Sequence, residues 1–114
     1  MTREAGQRLF SYGSLRQSEV QLGNFGRLLV GEADAARGWR IEAVRIDDPR
    51  VVALSGSALH KIMVPGGETD VVEGLVLALT AEELAKADAY ETADYARVEI
   101  ALRSGGRAWA YVRA

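Results

Sequence analysis

The sequence predicts a single α+β domain whose sheet is long enough to curl into a barrel. Three observations favour this class. A chain of 114 residues, 48% hydrophobic and 26% charged, has the length and composition of one globular domain. The predicted elements follow the order strand, helix, several strands, helix and hairpin. The hairpin consists of residues 97–103 and 107–112, joined through Gly105 and Gly106. We therefore expect one domain over residues 1–114.

The first part of the chain is predicted to contain a strand and a short helix. Residues 7–12 form an apolar-rich run that stops at a glycine, which is typical of a strand. Ser18 and Gln21 have the spacing of a capping box, in which two side chains satisfy free backbone N–H groups at a helix start. This spacing predicts a helix over about residues 19–25 that ends at Gly26.

The middle of the chain gives weaker patterns. Residues 39–46 are predicted to form a strand, in which Ile41 competes with Val44 or Ile46 for the inner face. This conflict leaves a β-bulge as an open alternative. Residues 50–64 follow a turn-forming Asp-Asp-Pro sequence and are predicted to form short strands or loop.

The second half of the chain gives the clearest patterns. Residues 71–79 are almost continuously apolar, as in a strand that is buried on both faces. Thr80 and Glu83 have the spacing of a second capping box. They predict a helix that starts at this point and runs to about Tyr90.

The composition excludes several classes of function. The chain has no cysteine, which excludes thiolate metal sites and thiol nucleophiles, and its single histidine excludes a metal site built from His clusters. A net charge of −2 argues against binding to nucleic acid or anionic lipid. No apolar run approaches the roughly 20 residues that cross a bilayer, and the N-terminal segment lacks the apolar stretch of a secretory signal. We expect a cytoplasmic protein without metal or cofactor that acts on a small molecule; its oligomeric state stays open.

Glu91 is the first candidate for a functional side chain. Extension of the predicted helix by one residue places Glu91 on the same stripe as Leu84 and Ala87, which faces the core. Burial there would raise the carboxyl pKa toward the value that a general acid/base needs near neutral pH. The alternative is that the helix unwinds after Tyr90 and leaves Glu91 in solvent.

The second candidate is the segment Tyr12-Gly13-Ser14-Leu15. A strand that stops at a glycine can turn sharply and leave successive backbone N–H groups directed at one point. Such groups accept a carboxylate or a developing oxyanion. The alternative is an ordinary strand-to-helix turn in which Ser14 is structural.

Three other side chains are weaker candidates. His60 is the sole imidazole, so a Ser-His-Asp hydrolase would have to use it, but no serine lies in a nucleophile-elbow pattern. Tyr95 and Arg97 would face the same side of a strand, where they would line a pocket or pack against the helix. Trp39, Trp109 and Tyr111 are predicted to lie in the core or the barrel wall.

Two segments resemble signatures of a known family. Residues 10–16, Phe-Ser-Tyr-Gly-Ser-Leu-Arg, resemble the Tyr-Gly-Ser/Thr-Leu loop of the gamma-glutamylcyclotransferase-like (AIG2-like) family. Residues 88–91, Asp-Ala-Tyr-Glu, followed by Tyr-Ala-Arg at 95–97, resemble its second signature, and residues 107–112 are similar to its last strand. The resemblance extends over residues 8–113 and identifies the chain as a bacterial stand-alone member.

The resemblance implies a small mixed β-barrel flanked by short helices, with one cavity between the loop and the glutamate. It implies catalysis of the cyclisation of a γ-glutamyl amine or peptide to 5-oxoproline, with release of the amine and without a cofactor. In the implied site Glu91 is the catalytic acid/base, and the substrate-binding residues are Tyr12, Gly13, Ser14, Leu15 and Tyr95.

Two departures and two alternatives accompany this resemblance. Ala87 replaces the usual leucine of the family, and the loop lacks the asparagine of the glutathione-degrading and metazoan gamma-glutamyl enzymes, so their substrates are not carried over. The same fold also occurs as an appended domain of larger amide-hydrolysing enzymes. A non-catalytic small-molecule-binding or accessory module is therefore the main alternative, and a Ser-His hydrolase that uses His60 is the more remote one.

Overall fold

The computed structural model describes residues 6–114, which form seven strands and three α-helices. In chain order these are β1 (Gln7–Ser11), α1 (Ser18–Phe25), β2 (Gly31–Arg37), β3 (Trp39–Arg45), α2 (Pro49–Ser55), β4 (Leu59–Pro65), β5 (Val71–Leu79), α3 (Ala81–Tyr90), β6 (Tyr95–Ala101) and β7 (Arg107–Arg113). A single 3₁₀ turn, Ser14–Arg16, connects β1 to α1. No helix within residues 6–114 is long and apolar enough to span a bilayer.

All seven strands belong to one mixed sheet, which curls into a half-barrel. The strand order is β2-β5-β1-β7-β4-β3, and β6 pairs with β7. The pairs β1–β7 and β4–β7 are parallel, whereas the other pairs are antiparallel. Because β1 lies between β5 and β7, the loop that follows it leaves from the middle of the sheet.

Each face of the sheet covers a hydrophobic core. The first core contains buried side chains from all three helices together with Leu9 and Tyr111. The second core lies on the opposite face and contains Phe10, Tyr12 and Met63. Successive residues of β1 therefore enter different cores, as expected from the alternation of side chains along a strand.

The capping box predicted for α3 is present. The Thr80 hydroxyl accepts a hydrogen bond from the Glu83 N–H (3.1 Å), and the Glu83 carboxylate accepts one from the Thr80 N–H (2.9 Å). Glu83 also receives two hydrogen bonds of 2.7 Å from Arg27, and this ion pair lowers the pKa of its carboxyl to about 2. The start of α3 is thus linked to the chain segment that follows α1.

The capping box predicted for α1 is wrong. Ser18 is the first helical residue, and no side chain caps the helix start. The amide of Gln21 is used differently: its Nε2 donates to the Leu15 carbonyl and its Oε1 accepts from the Leu29 N–H, each at 2.9 Å. The Gln21 side chain therefore bonds to backbone groups on either side of the helix instead of to the helix start. The helix still ends at the predicted Gly26, which has φ of 74°.

The prediction of short strands or loop for residues 50–64 is wrong in its first half. Residues 49–55 form α2, and β4 follows. The Asp48 side chain caps α2 by accepting a hydrogen bond from the Arg50 N–H (3.0 Å), Pro49 occupies the first turn, and Gly56 ends the helix with φ of 78°. These are standard start and stop signals of a helix. Because seven residues are too few to show a helical periodicity, the sequence pattern predicts only a turn here.

The strands of the middle region also differ from the prediction. β3 and β4 pair in unbroken register over all seven residues, so the bulge that the sequence left open is absent from this pair. Ile41 is exposed, Val44 packs against the first core, and Ile46 is buried just beyond the strand end. β2 was not predicted, because its alanine-rich sequence has little intrinsic strand preference; it forms through antiparallel pairing with β5 along its whole length.

The Thr80→Ala variant tests the contribution of the α3 capping box. Loss of the hydroxyl leaves the Glu83 N–H without its acceptor, and we expect the free energy of unfolding to fall by about 1 kcal/mol. Urea denaturation followed by circular dichroism measures this change. The matched variant Thr80→Ser retains the hydroxyl and should lie close to wild type. Equal stability of Thr80→Ala and wild type would contradict a stabilising role of the cap.

Candidate active site

The loop after β1 forms one wall of the candidate site. Its 3₁₀ turn is closed by hydrogen bonds from Arg16 N to Gly13 O (3.1 Å) and from Gln17 N to Ser14 O (2.9 Å). These bonds use the carbonyl groups of Gly13 and Ser14 and leave the N–H groups of residues 13–15 uninvolved in closing the turn. These N–H groups therefore remain the predicted candidates for binding an anion.

Glu91 lies on the opposite wall, directly after α3. The helix ends at Tyr90, and Glu91 has extended backbone angles (φ −72°, ψ 141°) while its N–H still donates to Ala87 O (3.1 Å). The alternative of an unwound helix is thus correct about the backbone but wrong about the side chain, which is only partly exposed to solvent. Burial raises the pKa of the Glu91 carboxyl from 4.5 to about 8.

Four tyrosines surround this carboxyl: Tyr12, Tyr90, Tyr95 and Tyr111. Burial is the main cause that raises the pKa of each phenol, and the nearby charge of Glu91 raises it further. The four phenols therefore stay protonated around neutral pH. The tyrosine neighbours of Glu91 therefore carry no negative charge there.

Two of the four hydroxyl groups are held by the sheet and by α3. The Tyr12 hydroxyl donates to the backbone carbonyl of Tyr111 and accepts from the Met63 N–H (3.0 Å). The Tyr111 hydroxyl donates to the carboxylate of Asp88, at 2.6 Å. Both hydroxyls thus have partners other than Glu91.

The remaining two hydroxyls are also engaged. The Tyr90 hydroxyl shares a hydrogen bond of 2.7 Å with the Ser14 hydroxyl, which connects α3 to the loop. The Tyr95 hydroxyl donates to the Lys61 carbonyl (2.9 Å). Within residues 6–114, no donor makes a hydrogen bond to the Glu91 carboxyl, and burial is the sole cause of its raised pKa. The carboxyl is therefore available to a ligand.

All six residues that the sequence analysis named for the site line one cavity: Tyr12, Gly13, Ser14, Leu15, Glu91 and Tyr95. The cavity has a volume of about 20 Å³, which is room for about one water molecule. An adjoining groove of about 370 Å³ shares Gly13, Ser14, His60 and Lys61 with it. A second adjoining groove, of about 470 Å³, contains Glu91, Tyr95 and Tyr111 themselves, so a substrate that reaches Glu91 can extend along either groove.

Arg97 lies outside the cavity. Its guanidinium makes two hydrogen bonds to the Asp88 carboxylate (2.8 and 3.2 Å) and lies 4.4 Å from the centre of the Trp109 ring. Arg97 also lines a groove of about 470 Å³ that includes Glu91 and Tyr95, so both alternatives for Arg97, packing against the helix and lining a pocket, apply. Because Asp88 also accepts from Tyr111, this ion pair holds a tyrosine of the Glu91 surroundings in place.

A comparison with protein families decides the affiliation of the chain. The model of a family described as gamma-glutamyl cyclotransferase, AIG2-like, matches residues 9–114. The chain belongs to this family. Its resemblance at the two sequence signatures is thereby confirmed at the level of the family.

Solved structures share the fold of this gamma-glutamyl cyclotransferase-like chain. A solution structure from Arabidopsis thaliana has a TM-score of 0.74 at 18% identity, with 99% of this chain and 66% of that chain covered. A structure titled gamma-glutamyl cyclotransferase has a TM-score of 0.69 at 13% identity, with 95% and 66% covered. The allophanate hydrolase of Kluyveromyces lactis has a TM-score of 0.69 at 9% identity, with 100% and 18% covered.

These comparisons support the fold and do not extend to a substrate. The chain spans just under two thirds of the length of the Arabidopsis protein and of the titled cyclotransferase. No curated protein matches the chain by sequence. The mixed α+β fold that the sequence predicted is confirmed.

The geometry around His60 does not fit a Ser-His hydrolase. His60 Nε2 lies 2.8 Å from the Ser57 carbonyl, to which it donates, and 3.1 Å from the Ser55 hydroxyl. A ring nitrogen that donates to a carbonyl carries a proton and cannot accept one from serine. The Ser55 hydroxyl itself donates to the Val51 carbonyl (2.7 Å). His60 thus closes the turn between α2 and β4 and borders the cavity.

Sequence reasoning missed three residues that contribute to this site. The sequence pattern predicts Tyr90 as the end of a helix and Tyr111 as a core residue, and it carries no signal for Lys61. The signal for Tyr90 and Tyr111 was weak, because a buried tyrosine on a regular element is indistinguishable from packing until the partner of its hydroxyl is known. Among residues 6–114, no cluster of three or more His, Cys, Asp or Glu side chains is arranged to hold a metal ion.

The raised pKa of Glu91 predicts a pH-dependent contribution to stability. Since the folded-state pKa of about 8 lies above the unfolded value of 4.5, stability from the protonated carboxyl is fully present below pH 4.5 and is lost as the pH rises through 8. Wild type should lose on the order of 4 kcal/mol relative to Glu91→Gln over this range. Urea unfolding of both proteins at pH 5, 7 and 9 measures the difference. Parallel stability curves would show that the Glu91 carboxyl is not buried.

Proposed function

We propose that the protein cyclises a γ-glutamyl amine or peptide to 5-oxoproline and releases the amine, with Glu91 as general acid/base. The proposal depends above all on one observation. A largely buried carboxyl with a pKa of about 8 and no hydrogen-bond donor within residues 6–114 shares a cavity with loop residues 13–15. A carboxyl of this kind can both accept and return a proton near neutral pH.

The proposed reaction needs only positioning and the movement of two protons from the α-nitrogen to the leaving nitrogen. The α-amine nitrogen of the γ-glutamyl group attacks its own γ-carbonyl carbon and forms the new C–N bond of a five-membered lactam. The original amide C–N bond breaks, and its electron pair goes to the leaving amine. Because nucleophile and electrophile belong to one molecule, binding in the right conformation supplies much of the rate.

Glu91 would act in both directions of the proton transfer. Its carboxylate takes a proton from the α-ammonium of the substrate, which makes the amine nucleophilic. The resulting carboxylic acid then gives this proton to the leaving nitrogen as the tetrahedral intermediate collapses. The regenerated carboxylate takes the second surplus proton from the new ring nitrogen and passes it to the released amine, which leaves as an ammonium ion. A carboxyl with an ordinary pKa would be a poor donor in the second step, whereas the raised pKa of Glu91 suits both steps.

The loop residues Tyr12, Gly13, Ser14 and Leu15 would bind the α-amino acid end of the substrate. The N–H groups of residues 13–15 are suited to the α-carboxylate or to the oxyanion of the intermediate, and one oxyanion donor typically contributes about 3 kcal/mol to the lowering of the barrier. Tyr95, whose hydroxyl is held by the Lys61 carbonyl, would form the wall next to the reacting carbonyl.

A binding or accessory module is the second candidate. It is supported by the similarity to the Kluyveromyces lactis allophanate hydrolase, in which this fold covers 18% of the chain. The Glu91 carboxyl, which has no hydrogen-bond donor within residues 6–114, weighs against a purely structural module. Ionisation of such a carboxyl destabilises the folded state, so a structural role gives no reason to keep it. The two candidates differ in whether a product forms.

The substitution Glu91→Gln tests the catalytic role. The amide keeps the shape of the side chain but cannot take up the α-ammonium proton, so we expect formation of 5-oxoproline to fall at least 100-fold. Wild type and variant are incubated with a panel of γ-glutamyl amines, γ-glutamyl amino acids and glutathione, and 5-oxoproline is measured by chromatography. Glu68→Gln, at an exposed position, is the matched control and should retain wild-type activity. Binding without product in wild type would favour the accessory module.

The pH dependence of kcat/KM provides a separate test. Since the free enzyme must carry Glu91 as carboxylate to accept the α-ammonium proton, kcat/KM should rise with pH and level off above an apparent pKa near 8. The profile is measured from pH 5 to pH 9.5 with a substrate that the panel identifies. A profile that is flat from pH 5 to pH 8 would contradict Glu91 as the base.

A further inference from the structure

The strand β3 leaves one of its edges open. It is the last strand of the order β2-β5-β1-β7-β4-β3, and within residues 6–114 it pairs with β4 alone. The opposite end of the sheet is covered in part, because Ala36 of β2 bridges to Leu102. The Arg103 N–H also donates to the Ala35 carbonyl there (2.8 Å). β3 has no comparable cover among the described residues.

The open edge of β3 presents the backbone groups of alternate residues. At the start of the strand the Gly66 N–H donates to the Gly38 carbonyl (2.9 Å), so residues of even number bond toward β4. The pairing register stays unbroken along the strand, and the bonding direction alternates from residue to residue in an antiparallel pair. The N–H and C=O groups of Trp39, Ile41 and Ala43 therefore point to the open edge.

β3 lacks the proline and the bulge that often protect an exposed strand edge. Its middle residue with free backbone groups, Ile41, is 37% exposed. Together with Trp39 and the exposed Val71, Ile41 borders a groove of about 360 Å³. A regular edge of seven residues with an exposed apolar side chain is suited to the addition of a further strand.

The charged side chains of β3 make this strand complementary to a second copy of itself. Arg40 and Glu42 lie on the same face of the strand and form an ion pair of 2.7 Å. Arg113 of β7 also contacts Glu42 (2.7 Å), which holds this carboxylate in place. In an antiparallel pair of two β3 strands with Ile41 opposite Ile41, Arg40 of each copy lies opposite Glu42 of the other. Cross-strand pairs of opposite charge stabilise a sheet.

Other antiparallel registers of the same edge lack this match. A centre at Arg40 or at Glu42 places two like charges opposite each other, which is unfavourable. A centre at Ala43 places Glu42 opposite the apolar Val44. The register about Ile41 pairs both charges and also brings the free N–H and C=O groups of the two strands face to face.

We propose that two copies of this chain associate through antiparallel pairing of β3 about Ile41. The copies would be related by a two-fold axis, so each supplies the same edge, the same ion pairs and the same apolar side chain. β3 contributes no residue to the described lining of the Glu91 cavity. The association and its test are therefore independent of the proposed activity.

Cysteine substitution tests the register. The chain has no cysteine of its own, so Ile41→Cys introduces a single thiol. In the proposed pair the two Cα atoms at position 41 lie about 5.5 Å apart, which a disulfide can span. After mild oxidation with copper-phenanthroline, denaturing electrophoresis without reductant should show most of this variant as a covalent dimer.

Ala43→Cys is the matched control for the cross-link. In the register about Ile41 the two thiols at position 43 would lie more than about 10 Å apart, so this variant should stay monomeric. Equal cross-linking of both variants, or no cross-linking of Ile41→Cys, would overturn the proposal.

Charge reversal tests the association without a covalent bond. Sedimentation velocity of wild type over a wide range of protein concentration should show a monomer–dimer equilibrium. Arg40→Glu and Glu42→Arg should each raise the dissociation constant about tenfold or more, since like charges then lie opposite each other. An equimolar mixture of these two variants should recover the dimer, because position 40 of each variant then meets the opposite charge at position 42 of the other.

Arg107→Glu is the matched control for charge reversal. Arg107 is an exposed arginine that forms an ion pair with Glu99 of the neighbouring strand, away from β3, and its variant should dimerise like wild type. Circular dichroism verifies that the variants are folded, and the cysteine pair decides if a charge variant is not. A wild type that stays monomeric overturns the proposal, as does a mixture no stronger than its components or an equal loss in Arg107→Glu.

Discussion

The hydroxyl group of Tyr12 connects the sheet with the candidate site. β6 pairs with one edge of β7, so β1 and β4 both pair with the other edge. β1 meets β7 at Leu9 and Trp109, and β4 meets it at Met63 and Val112. Where the edge of β7 passes from β1 to β4, the Tyr12 hydroxyl donates to the Tyr111 carbonyl of β7 and accepts from the Met63 N–H of β4. Without it, two buried backbone groups would lose a partner, at about 1–3 kcal/mol each. The same contact fixes the start of the loop that faces Glu91.

Glu91 illustrates a conflict between stability and chemistry. Burial disfavours the charged form of the Glu91 carboxyl. The four neighbouring tyrosine hydroxyls bond to other partners, so none of them offsets the free-energy cost of ionising Glu91. Such groups cluster at functional sites because a ligand supplies the missing interaction. The two hydrophobic cores on either face of the sheet provide the stability that lets the fold tolerate this carboxyl.

The sequence predicted those elements that carry their own signals. α3 has a capping box and a clear apolar stripe, β5 is a continuous apolar run, and the last two strands are joined by a glycine turn. α2 and β2 were missed for opposite reasons. The seven residues of α2 are too few for a helical periodicity, and β2 is alanine-rich and forms only because β5 provides an edge for it.

The sequence by itself determined the local features: where α3 begins and ends, and which glycine ends α1. Only the tertiary structure decided that the Glu91 side chain is largely shielded from solvent although its helix has already ended, and that each neighbouring tyrosine hydroxyl has another partner. The reason is physical. Capping and turn formation depend on residues a few positions apart, whereas the partners of Tyr12, Ser14 and Tyr95 lie 34 to 99 positions away in the chain.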